Sequence, residues 1–252
     1  MHILTRLRNW FHCLVDHAQK WISNTPRSRL YASVGLISVT TGYALIHSYK
    51  SRKSNVIVLA GLSGSGKTFL FYQLRDGSSP AQTGSSLSLN EGTFMLHSEL
   101  AKKGKIQPVH LIDIPGDNGH RKKLEKYLSR AAGLVFVVDA LVFLPHLQQV
   151  AMFLYDILTN ASILERKVPV LVLCNKNDNV VAHTKEFIRK HLEREIDKLY
   201  GPGTSVSADM LVTTRKAFSF SDCPNRVTLA IASGLTGDVS QVEEFIREHI
   251  TP

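Results

Sequence analysis

Cysteine is scarce in this chain of 252 residues: Cys13, Cys174 and Cys223 are odd in number, far apart and without the spacing of metal ligands. That excludes a disulfide framework and fits reduced thiols, and Cys174, inside an apolar run, reads as a small core residue. Acidic residues are scarce at one end. Residues 1–53 hold one acid, Asp16, against eight Lys and Arg, a net +7, whereas residues 54–252 hold 20 acids against 22 bases, a net +2. The basic excess therefore belongs to an N-terminal tail, and direct nucleic-acid binding is not expected of the nearly balanced remainder. Lipidation signals are missing as well: His2 stands where myristoylation needs glycine, and residues 248–252 carry no prenylation cysteine. No small-residue cleavage pattern follows an early apolar run, so a cleaved signal peptide is not expected. No internal repeat is present.

Charge itself is absent from residues 30–49. The stretch is about as long as a ~30 Å hydrocarbon core requires. Arg27 and Arg29 precede it, Lys50, Arg52 and Lys53 follow it, and Tyr31, Tyr43 and Tyr49 lie toward its ends, as interfacial aromatics do. It reads as one transmembrane helix; its several Gly, Ser and Thr residues also allow a buried or interfacial helix. Ahead of it, Ile3, Leu4, Leu7, Trp10, Phe11, Leu14, Val15, Ala18, Trp21 and Ile22 recur at spacings of three and four, an amphipathic helix pattern. Such a helix suits a membrane interface, a packed partner or an organelle-targeting presequence. The organisation expected is an amphipathic segment over 1–29, a span over 30–49 and a folded domain over 54–252.

What is there in strength is Gly61-Leu62-Ser63-Gly64-Ser65-Gly66-Lys67-Thr68, a complete G-x-x-x-x-G-K-[ST] loop between the apolar run 56–60 and a helical pattern opening at Thr68 and Phe69. Glycines let successive N–H groups wrap a phosphate chain, and the helix start adds its own unpaired N–H groups. Lys67 is placed to reach the β- and γ-phosphates, and the Thr68 hydroxyl to ligate Mg²⁺. Two later segments name the base. Asp113-Ile114-Pro115-Gly116 gives D-x-x-G, with Asp113 holding Mg²⁺ and the Gly116 N–H sensing the γ-phosphate. Asn175-Lys176-Asn177-Asp178 gives N-K-x-D. The Asp178 carboxylate can accept from the guanine N1–H and 2-amino group, whereas adenine would leave it unpaired, a difference that discriminates strongly. Asn175 is expected to bond the base edge and tie loops together, and the Lys176 stem to lie along the ring face. The ligands expected are GTP and Mg²⁺. Cytosolic GTP orients residues 54–252 toward the cytosol.

Apolar runs at 55–60, 108–112, 133–138, 168–174 and 227–232 alternate with helical patterns at 67–76, 120–131, 144–160, 182–199 and 240–250, with an extra edge strand between 88 and 97. That order predicts an α/β, P-loop small-GTPase fold: a mostly parallel sheet with helices on both faces, preceded by one transmembrane helix. Residues 201–218 read as a loop excursion. Thr83, in the Ser- and Gly-rich loop over 77–84, is the candidate hydroxyl closing over Mg²⁺ and the γ-phosphate. Ala232-Ser233-Gly234, after the last strand, sits where a backbone N–H could bond the guanine oxygen, with Ser233 the candidate. Asp117 stands where many GTPases orient the attacking water with glutamine, and nothing in the sequence places His120 at the γ-phosphate. Tight GTP binding and weak intrinsic hydrolysis follow, and no catalytic residue is assigned.

The chain resembles the signal recognition particle receptor beta-subunit family. The matching segments are the span at 30–49, GLSGSGKT at 61–68, AQTG at 81–84, DIPG at 113–116, FLYDIL at 153–158, CNKND at 174–178 and GDV at 237–239. The departures are Asp117, where that family often has His, and Ser233-Gly234, where it has Ala-Lys. The resemblance implies a single-pass anchor in the endoplasmic reticulum membrane with a cytosolic GTPase domain. Its GTP-bound switch surface would hold the receptor's alpha subunit for co-translational protein targeting. A cycling Arf-like trafficking GTPase is the alternative; a P-loop kinase or ATPase is disfavoured by Asn175 and Asp178.

Overall fold

The central strands over 56–60 and 170–175 are written almost wholly in apolar residues, because a parallel strand covered on both faces needs no polar alternation. The computed structural model describes residues 38, 40–41, 54–78, 89–100, 107–116, 121–199 and 217–250. Two compact units divide the chain, 1–52 and 53–252. In the first, Ser38, Thr40 and Thr41 are helical and exposed, and the Thr41 hydroxyl donates to Ser38 O at 3.1 Å. Residues 3–22 and the rest of 30–49 lie outside the described residues. Among the described residues no helix is long and apolar enough to cross a membrane.

The second unit runs β1 (Val56–Ala60), α1 (Lys67–Asp76), β2 (Asn90–Phe94), β3 (Val109–Asp113), α2 (Arg121–Leu128), β4 (Ala131–Asp139), α3 (Phe143–Leu158), α4 (Ala161–Arg166), β5 (Val170–Asn175), α5 (Lys185–Leu199), β6 (Val227–Ile231) and α6 (Ser240–His249). The six strands form one sheet in the order β2-β3-β1-β4-β5-β6, parallel except for edge strand β2. Side chains alternate across that sheet. Val58, Ile112, Phe136 and Val172 pack with buried residues of α2, α3, α4 and α5 on one face. Ile57, Leu59, Leu111, Val135 and Leu173 pack with Leu70, Phe71 and Leu74 of α1 and with Val242, Phe245 and Ile246 of α6 on the other. Each such large side chain contributes roughly 1.5–3 kcal/mol on burial.

Local signals set the helix ends. Gly77 closes α1 in the left-handed conformation, φ 69°, returning its N–H to Gln73 O. Pro145 falls in the first turn of α3, where its missing N–H costs nothing. The helical pattern expected over 144–160 is one helix, α3, and the short α4 that follows it was not expected. Asn160 opens α4 by accepting from the Ser162 N–H at 2.9 Å. The parallel order brings the carboxyl ends of β1, β3, β4, β5 and β6 to one edge, the edge at which open α/β sheets bind ligands.

Candidate nucleotide site

Gly66 opens α1 at φ 92°, a conformation that side chains adopt only at a cost. A Cβ there would lie 2.2 Å from the Asn175 amide nitrogen, so glycine is required for two reasons. Gly116 is the second position of close approach: a Cβ on it would stand 2.3 Å from Ser63 N and 2.5 Å from Gly61 O. The D-x-x-G turn therefore rests directly on the phosphate loop.

Lys67 is 6% exposed, and its ammonium donates to Gly61 O at 2.9 Å and Leu62 O at 2.8 Å. Burial pushes its pKa down to about 8, against the upward pull of the Asp113 carboxylate. Two carbonyls thus hold a desolvated cation at the mouth of the loop, a group that an incoming phosphate would stabilise.

Thr68 donates its hydroxyl to Asp113 Oδ2 at 2.7 Å, and Asn90 Nδ2 donates to the same oxygen at 3.1 Å. Asp113 is 1% exposed, and its Oδ1 is buried with no hydrogen-bond partner. An orphaned carboxylate oxygen beside a threonine hydroxyl is the donor set of a hard cation. Mg²⁺ is commonly held by one or two protein oxygens plus phosphate. Among the described residues no group of three or more His, Cys, Asp or Glu gathers to form an all-protein cage.

Asn175 joins the two ends of the site. Its Nδ2 donates to Ser65 O at 2.9 Å, and its Oδ1 accepts from Gly234 N at 3.1 Å. The phosphate loop, the β5 end and the loop after β6 are tied through one side-chain amide. Lys176 follows in a left-handed conformation, φ 66°, which costs roughly 1–2 kcal/mol for a residue with a side chain. Its ammonium is ion-paired with Asp139 at the end of β4. Asp178 accepts from the Ser233 hydroxyl at 2.6 Å, and the same hydroxyl oxygen accepts from Thr236 N at 3.1 Å.

The backbone N–H of Ser233 donates to Asp238 O at 2.9 Å across an isolated bridge. It is engaged within its own loop, and the group of Ser233 that meets Asp178 is its hydroxyl. Phe69 lies beneath that loop: a Cβ on Gly234 would meet the Phe69 Cβ at 3.3 Å. Gly61, Leu62, Ser63, Gly64 and Ser65 form the turn after β1, with Ser65 N bonded to Leu62 O at 3.3 Å. A cavity of about 500 Å³ runs beside this turn, lined by Ser63, Gly116, Asp139, Phe143 and Lys176 among others. Thr83, Asp117 and His120 lie outside the described residues. Two contributors went unforeseen, Asn90 and Asp139. The signal for Asp139 was present, an acid ending an otherwise apolar strand at the ligand edge.

A family model described as signal recognition particle receptor beta subunit matches residues 52–223. Signal recognition particle receptor subunit beta of Dictyostelium discoideum is 34% identical over 172 residues, covering 68% of this chain and 57% of that protein. The Homo sapiens protein of the same name is 29% identical over 247 residues, covering 92% and 89%. Among solved structures, that of the mammalian SRP receptor superposes with a TM-score of 0.67 at 28% identity, over 77% of this chain and 100% of that one. The signal recognition particle receptor SRb-GTP/SRX complex from Chaetomium thermophilum gives 0.62 at 20% identity over 77% and 100%. The Arl6 BBS3 small GTPase from Trypanosoma brucei, bound to GppNp, gives 0.54 at 20% over 77% and 98%. The last two show the fold alone, and that fold is the mostly parallel small-GTPase sheet described above.

Proposed function

Because the chain belongs to the signal recognition particle receptor beta-subunit family, we propose that it is the membrane-anchored GTP-binding subunit that holds the receptor's alpha subunit at the endoplasmic reticulum. The observation that carries the nucleotide part is the Asn175 amide, which ties Ser65 of the phosphate loop to Gly234 of the loop after β6. The group that would grip phosphates and the group that would read guanine are thereby one rigid unit.

In this reading the phosphate loop and Lys67 bind the triphosphate. Thr68 and Asp113 hold Mg²⁺, joined by the Thr83 hydroxyl, and Gly116 reports the γ-phosphate. Asp178, oriented by Ser233, accepts from guanine, and Lys176 covers the ring face. When bound, Mg²⁺ supplies charge neutralisation between the phosphates. An alpha-subunit partner is supported by the family and by the SRb-GTP/SRX complex among the structural relatives, and anchorage through residues 30–49 rests on the uncharged stretch there. Asp117, standing where many GTPases orient the attacking water with glutamine, supports a nucleotide-stabilised docking subunit over a fast enzyme.

The test is to load the full chain in detergent with GTP and follow nucleotide retention and phosphate release together. Retained, uncleaved GTP over many minutes is the expected result. Unassisted turnover at the rate of a GAP-stimulated GTPase, several per second, would sink the reading.

A further inference from the structure

We infer that Asp139, at the carboxyl end of β4, is a positioning residue for guanine recognition, holding the N-K-x-D loop through Lys176. The inference rests on the guanine reading of the site given above. Asp139 stands opposite Asn175 in the β4–β5 register. One of its oxygens accepts the Lys176 ammonium, while the other accepts from Leu141 N at 2.9 Å and Val142 N at 3.3 Å. The carboxylate side chain is only 14% exposed, so it is well shielded from water.

The backbone beside it makes the same connection twice more. Ala140 N donates to Asn175 O at 3.0 Å, and Ala140 O accepts from His183 N at 2.9 Å. The β4–α3 turn thus holds the guanine loop where it leaves β5 and where it turns toward α5. Asp139 supplies the remaining tie, to a residue in the left-handed conformation that nothing in its own side chain favours. On the opposite flank the loop is held by Asn177 N to Ala232 O at 3.1 Å and by Ser233 to Asp178. A Lys176 held at one end by Asp139 presents its aliphatic stem in one place, and sets the chain direction by which Asp178, two residues on, meets the base edge. Release of that tie leaves the phosphate loop anchored by its own contacts and by Asn175.

The experiment uses the full chain in detergent with Mg²⁺ and compares Asp139→Asn with the parent for GTP, ATP and inorganic tripolyphosphate. Asparagine keeps an acceptor for the two turn N–H groups and removes the charge that holds Lys176. GTP affinity is expected to fall about tenfold, mainly through faster dissociation, with tripolyphosphate affinity within about twofold of the parent. In a Lys176→Gln background, Asp139→Asn is expected to add less than about twofold, because the pair is already broken. Unchanged GTP affinity, an equal loss for tripolyphosphate, or simple addition of the two substitutions would each overturn the inference while leaving the guanine reading intact. A parent chain that binds ATP as well as GTP overturns the guanine reading itself, and this inference with it. If Asp139→Asn does not fold, Lys176→Gln alone carries the test, with the same selective loss for GTP expected and an unchanged affinity counting against the pair.

Discussion

In the proposed reading Asp178 is the side chain on which the choice of base turns, and it accepts from the Ser233 hydroxyl at 2.6 Å. A carboxylate in this position offers acceptors only, so it pairs with the N1–H and 2-amino group of guanine. Asp178→Asn replaces one acceptor with a donor. GTP affinity should drop at least a hundredfold while xanthosine triphosphate, which carries a carbonyl in place of the 2-amino group, gains; this magnitude is in line with sites that hydrogen-bond their ligand. Competition binding with the two nucleotides measures it, and an unaltered preference for GTP would show that the base lies elsewhere. The chemistry of Asp178 was legible from its type and spacing. The use of Ser233 was not, because its N–H and its hydroxyl are equally plausible donors in a sequence, and only the bridge to Asp238 shows which one is already engaged.

At the scale of elements, the site is a set of strand ends closed by loops, and Gly66 is where strand, loop and helix meet. An alanine there must adopt the left-handed conformation, at a cost of roughly 1–2 kcal/mol. It must also displace the Asn175 amide that a Cβ would approach to 2.2 Å. Gly66→Ala should therefore lower GTP affinity at least tenfold and also weaken the tie to the loop after β6. The measurement is nucleotide dissociation together with hydrogen exchange at residues 233–238, where faster exchange is expected; unaltered exchange would mean that Asn175 does not couple the loops. Strand and helix order were legible from apolar runs and helical periodicity. The short helix α4 was not, since its six residues bury a single side chain, Ile163, and the capping role of Asn160 is visible only once that residue is seen packed in the core.

For the molecule as a whole, a ligand that binds the folded state alone stabilises it by mass action. GTP with Mg²⁺ at a hundred times its Kd should contribute about 2.7 kcal/mol, raising the midpoint of thermal unfolding of the nucleotide-binding unit by roughly 5–10 °C on the scale of a 200-residue domain. Chelation of Mg²⁺ should remove much of that gain, since Thr68 and the orphaned Asp113 oxygen would lose the cation that joins them to phosphate. A melting curve indifferent to GTP would contradict the site. The sequence by itself determined the parts whose chemistry is local: the glycine-rich turn between an apolar strand and a helix, the carboxylate and amide of the later motifs, and the alternation that makes a mostly parallel sheet. The tertiary structure alone decided which distant groups meet. Asn175 reaches Ser65 across 110 residues and Lys176 reaches Asp139 across 37. Asn90 joins Asp113 because β2 pairs with β3 in one particular register. Backbone preference and hydrophobic period act over a few residues and can be read along the chain, whereas strand order and register arise from packing all the elements at once.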